Sequence, residues 1–196
     1  MIGRLRGVLV EKHPPALCVD VAGVGYELEA SMNTCSALPE LGSEVQLYTH
    51  QLIREDAHLL YGFVDTLERE TFRALIKVNG VGAKLALAIL SGMDPPTFRR
   101  CISAGDSASL TRLPGIGKKT AERLIVEMRD RFDAMPNLVE AAGHVTARRD
   151  DPEAEAVSAL IALGFKPPEA SKRVQAVRSD GMPCEEIVRQ ALRSMA

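Results

Sequence analysis

Hydrophobic and polar positions alternate along the first third of the chain, and turn residues interrupt the alternation. Runs of β-branched and aliphatic residues with a period of two are typical of strands buried on one face. The pattern predicts strands at Ile2 to Val10, Leu17 to Val21, Gly25 to Leu28, Val45 to Ile53 and Leu59 to Phe63. Because a closed barrel leaves no strand edge exposed, we expect an OB-like β-barrel over residues 1–63, with a short helix within residues 31–38.

The apolar period changes to about 3.6 residues at Asp65, which predicts an all-helical domain over residues 64–135. Asp65 followed by Glu68 has the pattern of a capping pair at the start of a helix. Further helices are indicated at Ala83 to Leu90, Pro95 to Ile102, Ser107 to Leu113 and Lys118 to Phe132. The connections between these helices are very short.

The last third of the chain combines a linker with a second helical region. Residues 136–151 have mixed charge and no sustained apolar period, which favours a flexible linker. Residues 152–196 resume a helical pattern, which Pro167-Pro168 and Gly181-Met182-Pro183 divide into three helices. The expected fold is therefore mixed β then α and multidomain: an OB-like barrel, a central all-α domain and a C-terminal three-helix bundle.

The central domain contains an internal repeat. Val78-Asn79-Gly80-Val81-Gly82-Ala83-Lys84 returns 35 residues later as Leu113-Pro114-Gly115-Ile116-Gly117-Lys118-Lys119. Glycine accepts a positive φ and has no Cβ, so a phosphate can approach the main chain, where the amides at the helix start favour an anion. A single copy could simply end one helix and begin the next, but two copies predict paired helix-hairpin-helix motifs. Such motifs bind the DNA backbone and read no base sequence.

Two other phosphate-binding motifs do not fit this repeat. A dinucleotide-binding fingerprint needs a preceding strand and a third glycine, and both are missing here. A nucleotide P-loop needs four residues between its glycines, whereas Gly115 and Gly117 are separated by Ile116 alone.

Charge is distributed unevenly along the chain. The net charge of -2 argues, taken alone, against a nucleic-acid partner. Residues 1–63 hold 4 basic and 8 acidic side chains, residues 64–135 hold 12 and 9, and residues 136–196 hold 8 and 9. Only the segment that carries the repeat is basic.

The cysteines and histidines are scattered, and no pair has the spacing of metal ligands. We therefore expect no metal site and no cofactor. The sequence also has neither an apolar run long enough to cross a membrane nor the pattern of a signal peptide. These features predict a cytoplasmic protein without a membrane partner.

The two hairpins occur together with four other motifs: Met1-Ile2-Gly3, Gly23-Val24-Gly25-Tyr26, Arg54-Glu55-Asp56-Ala57 and Leu59-Leu60-Tyr61-Gly62-Phe63. This combination closely resembles the RuvA family of bacterial Holliday-junction branch-migration proteins. The resemblance implies a homotetramer that holds a four-way DNA junction and its duplex arms open in a flat, square form, in recombination, DNA repair and the SOS response to DNA damage. It implies two protein partners, the hexameric ATP-driven motor RuvB and the nuclease RuvC. The chain itself would not be an enzyme.

The resemblance also implies roles for individual residues. Residues along the minor-groove side of each arm would be Gly80, Gly82, Lys84, Gly115, Gly117, Lys118, Lys119, Thr120 and Arg123. Glu55 and Asp56 match the family's acidic pin near the junction centre, whereas the sequence alone favours a solvated turn. Arg54 beside them either contacts a central phosphate or pairs with a neighbouring carboxylate. Candidate contacts with the motor, which by pattern also suit a helical core, are Leu163, Gly164, Phe165, Val188 and Leu192.

Two alternative functions are consistent with parts of the sequence. A helix-hairpin-helix repair enzyme of the glycosylase or nuclease type needs a catalytic Asp beside a base pocket or clustered carboxylates for Mg²⁺. Asp130 and Asp133 instead follow the periodic pattern of one amphipathic helix. A single-strand DNA binder stacks bases on exposed aromatic rings, and the acidic first domain offers only Tyr26, Tyr48, Tyr61 and Phe63.

Overall fold

The computed structural model describes residues 1–133, 152–165, 167–177 and 182–193. It divides into two compact units, Met1–His144 and Val145–Ala196. The predicted linker, residues 136–151, lies outside the described residues.

Five strands form a closed barrel in the first unit, in the order β1-β2-β3-β5-β4. The strands are β1 Arg4–His13, β2 Ala16–Val21, β3 Val24–Ala30, β4 Glu44–Ile53 and β5 His58–Phe63, and helix α1 Met32–Ala37 lies between β3 and β4. The β3–β5 pair is parallel and pairs only two residues of each strand, while the other pairs are antiparallel. The predicted barrel and its short helix are confirmed, with strand ends displaced by at most three residues.

Within residues 64–133, five helices follow the barrel: α2 Thr66–Leu75, α3 Ala83–Gly92, α4 Pro95–Ala104, α5 Ser107–Thr111 and α6 Lys118–Asp133. The carboxylates of Asp65, Asp94 and Asp106 cap α2, α4 and α5 by accepting from main-chain N–H groups. Helix α5 ends two residues before the predicted Leu113, because the Leu113 N–H donates to the Leu110 carbonyl in a tighter turn.

The barrel and the helices share an aromatic contact. Tyr61 and Phe63 on β5 pack against Phe72 on α2, with ring centroids 4.9 and 5.0 Å apart. All three side chains are buried in the core of the helical domain. One face of the barrel wall therefore continues into the hydrophobic core that supports the hairpins.

Glu68 adds a polar connection between the barrel and the helices. Its carboxylate accepts hydrogen bonds from the hydroxyls of Ser31 and Thr34, and the Thr34 Oγ1–Glu68 Oε2 distance is 2.6 Å. Burial of this side chain raises the pKa of Glu68. Half of the predicted capping pair is confirmed, since Asp65 accepts from the Glu68 N–H at 2.7 Å. The Glu68 side chain itself turns to α1.

Helix α1 also contacts the far end of α3. The Asn33 Nδ2 donates to the Leu90 carbonyl at 2.6 Å, and the Met32 N–H donates to Ser91 Oγ at 3.0 Å. Helix α3 is the second helix of the first predicted hairpin. The barrel therefore anchors that hairpin directly.

The described residues of the second unit form three helices, α7 Pro152–Ala162, α8 Pro167–Val177 and α9 Cys184–Arg193, which confirms the predicted bundle. Its core consists of small and aliphatic side chains, namely Ala156, Leu160, Ala170, Val174, Ile187 and Ala191. Pro167 is the first residue of α8, a position at which proline's missing N–H costs nothing.

The pH dependence of unfolding should change in the Glu68→Gln variant. The raised folded-state pKa means that the folded chain holds the proton more tightly than the unfolded chain. The stability that this adds is fully present below the unfolded pKa and is lost as the pH rises through the folded one. Gln does not titrate, so urea unfolding from about pH 4 to about pH 8 should show a shallower decline than in the parent. Equal slopes in the two proteins would contradict this account of Glu68.

Candidate nucleic-acid interface

The two copies of the repeat form the same turn. The Val81 N–H donates to the Val78 carbonyl at 3.0 Å, and the Ile116 N–H donates to the Leu113 carbonyl at 3.2 Å. Gly80 and Gly115, at the third position of each turn, both have φ of 83°. A positive φ at that position is characteristic of a type II turn and favours glycine.

The residue between the glycines of each turn is buried. Val81 and Ile116 are 4% and 5% exposed and lie in the core of the helical domain. Because these side chains point inwards, the glycines on either side are exposed. Packing of Val81 and Ile116 in the core therefore fixes the turns, and the main chain of each turn faces solvent.

The helices that follow the turns begin without a side-chain cap. Gly82 is the N-cap of α3, and no side chain accepts from the first-turn amides there. The Ala121 N–H donates to the Gly117 carbonyl at 2.9 Å, which gives Gly117 the same place before α6. A helix start with free N–H groups and a positive dipole end attracts an anion. A Cβ added at Gly82 or Gly117 would meet nothing within 4 Å, so both approaches are open.

Basic side chains surround these two helix starts. Lys84 is exposed in the first turn of α3, and Lys118 and Lys119 are exposed in the first turn of α6. Thr120 is half-buried beside them. The sequence-predicted residues of each hairpin are therefore brought together around one set of amides.

Each turn also touches the helix of the other hairpin. A Cβ on Gly80 would lie 3.2 Å from Nη1 of Arg123, and a Cβ on Gly115 would lie 3.2 Å from Cδ1 of Leu85. Arg123, which the resemblance assigns to DNA, also donates from Nη1 to the Asn79 carbonyl at 2.9 Å. The two hairpins form one continuous structure.

Two further arginines of α6, which the sequence analysis did not single out, donate to main-chain carbonyls of the helical domain. Arg131 Nη2 donates to the Lys77 carbonyl at 3.1 Å, and Arg129 Nη2 donates to the carbonyls of Ile102 and Ser103 at 3.4 Å. The sequence does show that Arg123, Glu127 and Arg131 are four residues apart. This spacing places the three side chains on one face of the helix.

The acidic pair lies at the tip of the β4–β5 hairpin. Arg54, Glu55 and Asp56 are all exposed, and the loop is closed by a hydrogen bond of 2.8 Å from the Arg54 N–H to the Ala57 carbonyl. The position on a loop between two barrel strands is as expected. The described residues give neither carboxylate a hydrogen-bonded or ion-paired partner that would fix it.

Family models match three consecutive parts of the chain. The RuvA N terminal domain matches residues 1–62, the SAM-like helix-hairpin-helix tandem matches residues 72–130, and the RuvA C-terminal domain matches residues 151–196. The Holliday junction branch migration complex subunit RuvA of Nitrosococcus oceani is 58% identical over 198 residues, covering 100% of both chains. The chain belongs to the RuvA family.

Other members of the RuvA family show similar agreement along their whole length. The proteins of the same name from Thioalkalivibrio sulfidiphilus and Pseudomonas paraeruginosa are 57% and 55% identical to this chain. They match 99% and 100% of this chain, and the match covers 98% and 100% of their own length. The resemblance drawn from the hairpins and the short motifs is confirmed.

The candidate motor-contact residues of this RuvA-family chain fall into two groups. Leu163 and Leu192 are exposed, and Gly164, two residues after the end of α7, has φ of 100°. Phe165 and Val188 are half-buried and pack against the core of the bundle. Arg173 covers the Phe165 ring, with its guanidinium carbon 5.4 Å from the ring centroid. Only the two leucines thus present an open apolar surface.

The geometry disfavours the two alternative functions. Tyr61 and Phe63 are fully buried, and the Arg69 guanidinium carbon lies 5.3 Å from the centroid of the Tyr48 ring, so this barrel has little aromatic surface for stacking bases. Asp130 is an exposed residue within α6 and not in a loop beside a pocket. Among the described residues, no cluster of three or more His, Cys, Asp or Glu side chains could hold a metal ion.

None of the described helices has the length and apolar character needed to cross a membrane.

Alanine at the turn glycine and at the capping glycine should have different effects on stability. Gly115→Ala places a Cβ on a residue with φ of 83° and should lower the free energy of unfolding by about 1–2 kcal/mol. Gly117→Ala adds a Cβ in open space and should cost about 0.5 kcal/mol. Urea denaturation of both variants measures the difference. Equal losses would mean that the turn is not of the type described.

Proposed function

We propose that this chain binds four-way DNA junctions as a homotetramer and is the DNA-binding subunit of a branch-migration complex. The observation that carries the proposal is the pair of turns with the same conformation, each followed by a helix that starts after a glycine and is flanked by lysine. The relatives named above are called Holliday junction branch migration complex subunits, which is the same role.

Each hairpin would bind one phosphate of the duplex backbone. The first-turn amides of α3 and α6 donate to phosphate oxygens, and the glycines before them leave room for the backbone to approach. Lys84, Lys118 and Lys119 add charge and release counterions from the DNA. None of these groups carries a pattern of donors and acceptors that reads a base edge, so binding is independent of sequence.

Selectivity for a junction comes from the assembly. One chain holds a pair of hairpins and would bind a single duplex arm, so a fourfold arrangement is needed to place one pair on each of four arms. In that arrangement the exposed Glu55 and Asp56 of all subunits meet near the crossover. There they repel phosphates and favour separated strands, while Arg54 contacts a central phosphate or pairs with a neighbouring carboxylate.

The bundle of residues 152–196 would engage an ATP-driven hexameric motor, RuvB, through its exposed leucines Leu163 and Leu192. ATP hydrolysis belongs to that motor, and strand cleavage to the nuclease RuvC. This chain is not an enzyme and needs no cofactor. It acts in the cytoplasm, where the DNA and both partners are present.

Binding to a fixed four-way junction and to a linear duplex of the same sequence tests the proposal. A gel-shift titration should show clear preference for the junction at moderate salt, and log affinity should fall linearly with log salt concentration. The slope should be steeper for the junction because more phosphates are contacted. Equal affinity for junction, duplex and single strand would overturn the proposal.

A variant with Gly82→Ala and Gly117→Ala provides the matched test of the hairpins. Both Cβ atoms enter open space, so the fold is kept, but they stand where the phosphates approach. Losing one charge-assisted hydrogen bond per hairpin should weaken junction binding by about tenfold or more. Binding at the parental level would exclude the amides as the contact.

The acidic pair should affect how the junction is opened and not whether it is bound. In the variant with Glu55→Gln and Asp56→Asn, junction affinity should be equal to or higher than that of the parent, because like-charge repulsion is removed. Fluorescence energy transfer between labelled arms should report a less open junction. An unchanged arm geometry would contradict the role of an acidic pin, and loss of folding would make the pair structural.

A further inference from the structure

The two hairpin turns share a conformation but differ at their second residue. That residue is Pro114 in the second turn and Asn79 in the first. Proline at this position fixes φ near the value that a type II turn requires, so the second turn is preorganised by its own covalent structure. The first turn lacks that constraint.

Arginines of α6 supply hydrogen bonds at the first turn. Arg123 Nη1 donates to the Asn79 carbonyl at 2.9 Å, and Arg131 Nη2 donates to the Lys77 carbonyl at 3.1 Å. These two carbonyls flank Val78, which begins the turn. They follow the end of α2, where carbonyl groups have no partner within the helix.

The repeat itself does not provide a reciprocal pair of arginines. The positions of α3 and α4 that are 35 residues before Arg123 and Arg131 are Ala88 and Pro96. Neither side chain can donate a hydrogen bond to the second turn. Hydrogen bonds from the second hairpin thus hold the first turn in place, whereas Pro114 restricts the conformation of the second turn.

We propose that Arg131, together with Arg123, is a positioning residue that preorganises the first hairpin for phosphate. The proposal rests on the proposed function and adds a means by which it is achieved. Arg131 is about two-thirds buried, and its Nε has no hydrogen-bond partner among the described residues, so its role here is carried by Nη2. Without the hydrogen bonds from Arg123 and Arg131, the first turn would become ordered only when DNA binds. The free-energy cost of that ordering lowers the affinity for DNA.

A rescue experiment separates positioning from direct contact with DNA. Arg131→Met keeps the apolar stem and removes the donor, and it should weaken binding to a fixed four-way junction by about fivefold. The salt dependence should keep the parental slope, because no phosphate contact is lost. Adding Asn79→Pro, which copies the second turn, should restore the affinity to within about twofold of the parent.

Amide hydrogen exchange in the absence of DNA gives a second readout. The Val81 N–H, which donates to the Val78 carbonyl within the turn, should exchange faster in Arg131→Met than in the parent and return towards the parental rate when Asn79→Pro is added. Arg129→Met is the matched control, because Arg129 lies on the same helix and donates to carbonyls at the end of α4, away from the turn. It should change neither the exchange of the Val81 N–H nor the junction affinity.

Several results would overturn the proposal. A salt slope reduced by about one would make Arg131 a direct phosphate contact. If Asn79→Pro does not restore the affinity, or if Arg129→Met has an equal effect, the weaker binding of Arg131→Met reflects a general loss of stability. Arg131→Gln, a milder change, replaces Arg131→Met if that variant does not fold.

The experiments can refute the proposed function and the positioning role of Arg131 independently. If the parental protein shows no preference for a junction, the proposed function is wrong, and hydrogen exchange without DNA still decides whether Arg131 orders the first turn. If the parent prefers a junction and exchange of the Val81 N–H is the same in Arg131→Met, the positioning role of Arg131 is wrong and the proposed function stands.

Discussion

The interface depends on the burial of one aliphatic side chain in each hairpin. Val81 and Ile116 each lie between two glycines and inside the core, and this fixes which way the surrounding main chain faces. With the side chain inside, a positive φ at Gly80 and Gly115 completes the turn, and the amides of the next helix point to solvent. The proposed anion site thus follows from core packing. A chain that repeats the packing repeats the site.

The barrel holds this arrangement in place. Phe72 packs between Tyr61 and Phe63 of β5, Glu68 accepts from both hydroxyls of α1, and Asn33 of α1 donates to the end of α3. Apolar and polar contacts therefore connect β5 and α1 to the helices on either side of the first turn. These contacts are buried or partly buried, so they fix the position of the first hairpin relative to the barrel.

Periodicity and turn chemistry in the sequence predicted the barrel strands, the short helix and both hairpins, because these features are set by neighbouring residues. Long-range contacts could not be predicted in this way. Glu68 shows only a local capping pattern, although its side chain bonds to Ser31 and Thr34. Arg131 belongs to no motif, and its carbonyl partner at residue 77 is far away in sequence. The resemblance made Phe165 and Val188 candidate contacts with a partner, but packing half-buries both in the bundle.

Ethylation interference on four-way junctions of two unrelated sequences tests the central claim most directly, since it reports which phosphates the protein requires. The account predicts interference at equivalent backbone positions on all four arms, across the minor groove, with the same pattern for both sequences. Interference confined to one arm, or a pattern that changes with base sequence, would contradict the claim that paired hairpins bind the backbone and that a fourfold assembly selects the junction.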